Sequence, residues 1–187
     1  MLALLLALAC AKQPLPPPAA ATGAIALDGH HQTVEAVEES RYLHYAVGAS
    51  IHAPPEVVWA VLTDASRYTS WNSTIVSLKG DIALGNTIRL TAKIDPKRTF
   101  DLTVSTFEAP SAMVWMDGDD KFLGVRTFTL TPNAEGGTDW TMKEAFSGSM
   151  LKMIAPKLPD FGPDFDAFAA DLKAEAERIA APAGSPG

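Results

Sequence analysis

The sequence predicts an α+β domain in which a curved antiparallel sheet of about six to seven strands wraps around one long C-terminal helix. Many short segments carry apolar residues at every second position, which is typical of strands that bury one face. Short turns join these segments, and strands joined by short turns are antiparallel neighbours. Near the C terminus apolar residues recur with helical period, and only this predicted helix is large enough to cover the sheet.

The composition favours one globular domain that does not bind nucleic acid. The chain has 187 residues, of which 47% are hydrophobic and 20% are charged, so it can bury a proper core. Its net charge is −7, and its 15 Lys and Arg residues are not gathered into a basic stripe. Nucleic acid is therefore excluded as an expected partner.

The N terminus has the features of a bacterial lipoprotein signal. Residues 1–9 form an apolar run that is too short to span a bilayer but long enough for the core of a signal peptide. The run ends at Cys10, the only cysteine, in a sequence that looks like a lipoprotein processing site. We therefore expect Cys10 to be lipidated, with the protein anchored in the bacterial envelope and facing the periplasm if the cell is Gram-negative. The alternative is a chance apolar start with a spare cysteine.

Residues 10–40 are predicted to connect this anchor to the domain. Residues 11–23 are rich in Pro and Ala, which indicates an extended tether. Residues 25–40 are either tether or a frayed first element. The domain is expected to occupy residues 41–181, and residues 182–187 are expected to be a disordered tail.

The domain begins with a strand followed by two short helices. Alternation of apolar residues predicts a strand that ends at Ile51, and Pro55 suits the first position of a helix. That helix is apolar over most of its circumference, so it should be buried on more than one side. Asp64 can end it and cap the next turn, which closes near Trp71.

Six further strands, one irregular segment and one helix follow. The segment 149–161 is apolar but contains two prolines that should prevent regular structure, which makes it a plausible lid. The helix is predicted over 163–181, with Asp164 in its first turn, and is ended by Pro182. Its apolar stripe is Phe165, Phe168, Leu172, Ala176 and Ile179. The predicted strands are 74–79, 87–94, 100–107, 112–117, 123–131 and 138–147.

The last predicted hairpin places a charged pair on an apolar surface. If residues 134–136 form the loop, Arg126 lies opposite Glu144, and their apolar neighbours on the same face line a pocket. Burial of such a pair is costly unless each charge satisfies the other. The pair would fix the polar end of a ligand, or the carboxylate would act as a general acid or base. The alternatives are a structural salt bridge, or a register one residue off that turns Arg126 outward.

The sequence contains no motif for metal binding, nucleotide binding or nucleophilic catalysis. The histidines have no carboxylate or cysteine neighbours at ligand spacing, so no metal is expected. The acidic residues of 117–120 fit a solvated turn better than a calcium loop. There is no phosphate loop, dinucleotide fingerprint or nucleophile elbow, and no cofactor is expected.

The motifs of residues 41–181 resemble the START and birch-pollen-allergen superfamily, SRPBCC, in its polyketide cyclase and lipid-transport branch. The opening motif is Ile51 with the run from Ala53 to Trp59, and the closing motif runs from Glu144 to Gly148. Between them the matching positions are Leu62, Thr63, Asp64, Tyr68, Trp71, Asn72, Phe128 to Leu130, Gly137 and Thr138.

The resemblance implies a helix-grip fold with a hydrophobic cavity that holds a lipid, sterol or polyketide-like molecule. We expect a monomeric binding module that acts without catalysis. One alternative is a cyclase or dehydratase that uses Glu144, Arg126 and Tyr45, and another is a protein-interaction module with a filled cavity. The residues expected to line the cavity are Trp59, Trp71, Leu90, Leu102, Trp115, Arg126, Phe128, Leu130, Trp140, Met142, Glu144, Phe146, Phe165, Phe168 and Leu172.

Overall fold

Eight antiparallel strands form one curled sheet in the computed structural model, which describes residues 30–33 and 42–181. Their order across the sheet is β1-β2-β8-β7-β6-β5-β4-β3, so the long strand β8 lies beside β2. The strands are β1 His30–Thr33, β2 Tyr42–Ile51, β3 Ile75–Lys79, β4 Thr87–Ala92, β5 Phe100–Glu108, β6 Ala112–Gly118, β7 Leu123–Pro132 and β8 Thr138–Ser147.

Four helices lie outside the sheet. Two of them follow β2 and are linked by the 3-10 turn Ala65–Arg67. A third follows β8 and continues into the 3-10 turn Ala155–Lys157. The helices are α1 Pro55–Thr63, α2 Tyr68–Trp71, α3 Leu151–Ile154 and α4 Gly162–Ala180.

The structure confirms the predicted α+β fold and adds one short strand. Residues 30–33 lie in the segment that was predicted to be a tether or a frayed element, and they pair with β2. Pairing satisfies backbone groups that β2 would otherwise present at an open edge. The predicted signal sequence, Cys10, the other residues of the predicted tether and the predicted tail 182–187 lie outside the described residues.

The segment predicted to be irregular contains helical turns. The prediction that its prolines prevent regular structure is wrong, because Pro156 stands in the first turn of a 3-10 helix. A proline is tolerated there since its missing N–H would have no partner inside the helix.

Local chemistry explains the α1–α2 region. Pro54 is extended, with φ −64° and ψ 154°, as expected for a residue that precedes proline. The Asp64 carboxylate accepts the N–H of Ser66 at 3.1 Å and caps the following turn. The buried Tyr68 hydroxyl donates to the Leu62 carbonyl at 2.8 Å, which fixes the second turn against the first.

Helix α4 is fixed to the rest of the domain along its C-terminal half. Lys173 Nζ donates to the Ser50 carbonyl at 2.7 Å, and the His52 N–H donates to Glu177 Oε1 at 2.8 Å. In the middle of the helix the Phe168 ring stacks on Trp140, with 5.9 Å between ring centroids and 4° between ring planes. These contacts hold the middle and the C-terminal half of α4 close to β2 and β8.

Candidate functional site

A cavity of about 190 Å³ lies between the concave face of the sheet and the first turns of α4. Strands β4 to β8 supply the largest share of its wall, residues 158–161 and α4 close it from the other side, and β3 and the loops between strands supply the remaining residues. Most of the lining side chains are apolar. The site is therefore an internal pocket of the kind that small apolar molecules occupy.

Sheet register aligns the polar part of this wall. Tyr45 on β2 lies opposite Glu144 on β8, Glu144 lies opposite Arg126 on β7, and Arg126 lies opposite Trp115 on β6. Directly opposed residues project from the same face of a sheet. The predicted register of the last hairpin is thus the observed one, and the alternative register that turns Arg126 outward is wrong.

Nine of the fifteen residues expected around the cavity border it, and six do not. The nine are Leu90, Leu102, Trp115, Arg126, Met142, Glu144, Phe146, Phe165 and Phe168. The six that lie elsewhere are Trp59, Trp71, Phe128, Leu130, Trp140 and Leu172.

Three of the six residues away from the cavity pack against other aromatic rings. Trp71 packs edge-on against Phe168, at 5.7 Å between ring centroids, and Trp140 stacks on the same ring. Trp59 packs instead against Phe107. Periodicity showed which side chains point inward, but it did not show where along α4 the helix separates from the sheet.

Arg126 and Glu144 form an ion pair inside the cavity wall. Arg126 Nε donates to Glu144 Oε2 at 2.6 Å, and Nη2 contacts the same oxygen. The side chains are only 18% and 14% exposed. The guanidinium carbon also lies 5.6 Å from the centroid of the Phe165 ring, within the range of a cation–π contact. The pair is the charged centre of an otherwise apolar surface.

Asp164 is a cavity residue that sequence reasoning missed. It was assigned only to the first turn of the closing helix, yet it borders the cavity and is half-buried. Burial raises the pKa of its carboxyl group, and this outweighs the opposing effects of the Arg126 and Lys93 charges. A signal was present, because Asp164 precedes Phe168 by four residues and so shares its helix face.

Other lining residues come from segments that sequence reasoning treated as loops or strand ends. The side chains of Leu158, Pro159 and Phe161 close the cavity from the segment proposed as a lid. Residues 158–161 do not show the apolar periodicity of a strand or a helix, so that pattern did not identify them as cavity residues. The remaining lining residues, which were not among the fifteen expected ones, are Thr74, Ile75, Ala92, Ile94, Asp95, Arg98, Phe100, Asp117, Phe122 and Gly124.

Tyr45 is close to the charged pair along the sheet but does not border the cavity. Its ring contacts Phe161 edge-on at 5.2 Å and Phe146 at 6.3 Å. Burial raises the pKa of its phenol, and the negative charge of Asp160 adds to the increase. The phenol is therefore protonated at neutral pH and is packed among aromatic rings.

The described residues contain neither a candidate metal site nor a helix that could span a membrane. Across residues 42–181 no three His, Cys, Asp or Glu side chains are grouped so that they could hold a metal ion. In the same part of the chain, none of the helices has the length and apolarity needed to cross a bilayer.

The free energy of unfolding should change with pH as the Asp164 carboxyl ionises. Its folded pKa lies above the ordinary 3.8, so the folded state holds this proton more tightly than the unfolded state does. Ionisation therefore destabilises the fold as the pH rises from about 3.8 through the folded pKa. We expect Asp164→Asn to gain stability over wild type across that window and to match it at lower pH, as measured by urea unfolding. A difference that is constant with pH, or that shrinks as pH rises, would contradict this.

Comparison with known proteins places the chain in a family. Residues 37–181 match the model of the family described as polyketide cyclase/dehydrase and lipid transport. A search of the curated proteins found no match.

Solved structures show the same fold at low sequence identity. A protein of unknown function from Staphylococcus aureus is 11% identical, with a TM-score of 0.59 over 76% of this chain and 98% of its own. A START superfamily protein from Mycobacterium smegmatis is 18% identical, with a TM-score of 0.55 over 73% and 98%. A norcoclaurine synthase point mutant from Thalictrum flavum, in complex with a transition-state analogue, is 12% identical, with a TM-score of 0.58 over 74% and 96%. Because the family match extends over most of the chain, the protein belongs to the polyketide cyclase/dehydrase and lipid transport family and has its START-like fold.

Proposed function

We propose that the domain binds a small, mainly apolar molecule with one polar end inside the cavity. The observation that carries the proposal is a cavity with an apolar wall that contains the Arg126–Glu144 ion pair. Apolar pockets with a few placed polar groups are typical of ligand sites. A family whose description includes lipid transport supports the same function.

Polar groups in the wall offer contacts to such a ligand. Trp115 is buried beside the cavity, and its indole N–H has no hydrogen-bond partner within the described residues. Buried donors are usually paired, so an acceptor atom on a ligand would satisfy this one. The polar end would lie near the charged pair, and the apolar body would pack against rings such as Phe146 and Phe165.

The cavity size limits the ligand. A volume of about 190 Å³ slightly exceeds the roughly 150 Å³ of an engineered apolar cavity that binds benzene. A molecule with one or two rings, or a short chain, fits this space. A long-chain lipid would require movement of residues 158–161, which cover the cavity.

The direct test is native mass spectrometry of the purified protein, with identification of any molecule that copurifies. Ala92→Trp adds an indole to the cavity wall and should abolish binding while the circular dichroism spectrum stays native. Arg89→Trp, on an exposed position of the same strand, is the matched control and should bind as wild type does. Binding that survives in Ala92→Trp would place the ligand elsewhere. Failure of wild type to take up any apolar probe would favour the protein-interaction alternative.

The anchoring proposal extends this function to the bacterial envelope. The sequence of residues 1–10 supports a lipidated Cys10, and the Pro- and Ala-rich residues after it would hold a monomeric domain away from its membrane. We expect Cys10→Ala to move the protein from the membrane fraction to the soluble fraction. Retention of this variant in membranes would contradict lipid anchoring.

A cyclase or dehydratase is the second candidate function, and Asp164 is the observation that favours it. A cavity carboxyl with a raised pKa is suited to donate or accept a proton. Glu144 lies on the same cavity, whereas Tyr45 does not border it. Loss of turnover in both Asp164→Asn and Glu144→Gln, with ligand binding retained, would establish catalysis over simple carriage.

A further inference from the structure

We propose that the cavity selects a ligand whose polar end is a cation, such as an ammonium group on an apolar body, rather than a carboxylate. This inference rests on the proposed function and specifies the sign of the ligand's charge. Three charged side chains carry it, namely Arg126, Glu144 and Asp164, all of which line the cavity.

The single cation among these three groups is already engaged. Arg126 uses both Nε and Nη2 on one oxygen of Glu144. Asp164 has no hydrogen bond or ion pair with any described residue, although Arg126 is near enough to act on its pKa. One guanidinium therefore faces two carboxylates, and the inner charge balance is negative when both are ionised.

The other charged residues around the cavity do not reverse this negative charge balance. Asp95 and Asp117 contribute two more carboxylates, whereas Arg98 contributes one guanidinium, which is exposed and lies 4.4 Å over the Phe100 ring. Lys93 acts on Asp164 from an exposed position, but it does not line the cavity. Acidic groups on the lining thus outnumber basic groups by four to two.

Aromatic rings reinforce the preference for a cation. Phe122, Phe146, Phe161 and Phe165 border the same space. The faces of such rings attract cations and disfavour anions. An ammonium group would also stabilise the Asp164 carboxylate, which loses contact with water on burial. A carboxylate on the ligand would instead add a third anion beside Glu144 and Asp164.

The test compares three probes that share one body and differ in the polar end. NMR titration of the full chain would give Kd values for 3-phenylpropylamine, 3-phenylpropan-1-ol and 3-phenylpropanoate at pH 7. We expect the amine to bind on the order of tenfold more tightly than the alcohol, and the carboxylate to bind most weakly. Asp164→Asn should reduce severalfold the ratio of the Kd of the alcohol to the Kd of the amine. Asp101→Asn, which removes an equal charge from an exposed position of β5, should leave that ratio unchanged.

The outcomes separate this inference from the proposed function. Equal binding of all three probes, or tightest binding of the carboxylate, would overturn the preference for a cation and leave the binding function standing. An amine preference that is undiminished in Asp164→Asn would overturn the assignment of this preference to Asp164. If no probe binds, the proposed function fails, and this inference fails with it.

Discussion

Replacing Arg126 with methionine is expected to lower the free energy of unfolding by about 3 to 5 kcal/mol at neutral pH. The guanidinium is the ion-pair partner of Glu144, and both side chains are largely shielded from solvent. Removing one partner leaves a carboxylate without compensation in an apolar wall, and this costs more than the pair itself contributes. Urea unfolding followed by tryptophan fluorescence would measure the change.

A double variant distinguishes two causes of the lost stability, namely the loss of packing around Arg126 and the burial of an unpaired Glu144 carboxylate. In Arg126→Met with Glu144→Leu both charges are replaced by apolar groups, so most of the lost stability should return. If the double variant is as unstable as Arg126→Met, the loss comes from packing around Arg126. If Arg126→Met loses less than about 1 kcal/mol, water reaches Glu144 well enough to replace its partner.

Replacing Phe168 with alanine is expected to cost about 3 to 5 kcal/mol, because its ring fills the space between α4 and the sheet. The ring is 2% exposed. It stacks on Trp140 and contacts Trp71 edge-on, so its removal opens a cavity lined by large rings that cannot easily collapse. The thermal unfolding midpoint and the urea midpoint should both fall.

Ile179→Ala is the matched control on the same helix. Ile179 is 41% exposed, so its truncation should change the free energy of unfolding by no more than about 0.5 kcal/mol. Similar losses in the two variants would mean that α4 is not held at its centre by the aromatic contacts. Sequence reasoning included Ile179 in the apolar stripe of the helix, and its exposure shows that the buried part of the stripe ends one turn earlier.

The fold was predictable because its signals are local. Alternation marked the strands, Pro55 and Asp64 marked the ends of α1, and the stripe from Phe165 to Ala176 marked α4. The opposition of Arg126 and Glu144 followed from the length of one hairpin loop. These features depend on period, caps and turn geometry, which neighbouring residues determine.

The extent of the cavity was not predictable in the same way. Phe128 and Met142 lie opposite each other on adjacent strands, yet only Met142 borders the cavity. The difference depends on where α4 leaves the sheet, which is set by contacts such as Lys173 with Ser50, 123 residues away in sequence. Asp164 was missed for a related reason, since a first-turn acid is usually explained by the helix terminus alone.

The pairing of β2 with β8 has a consequence for how the binding site forms during folding. Tyr45 and Glu144 are neighbours across these strands although more than half of the domain separates them in the chain. Such pairing closes a long loop, and domains dominated by non-local contacts fold slowly. The charged pair lies on β7 and β8, and its cavity is enclosed by α4, which β2 holds through the hydrogen bond from Lys173 to Ser50. The wall around the cavity is therefore complete only when the first and last long strands have met. A ligand that contacts this wall would bind the finished fold alone, and its occupancy would protect the closure from opening.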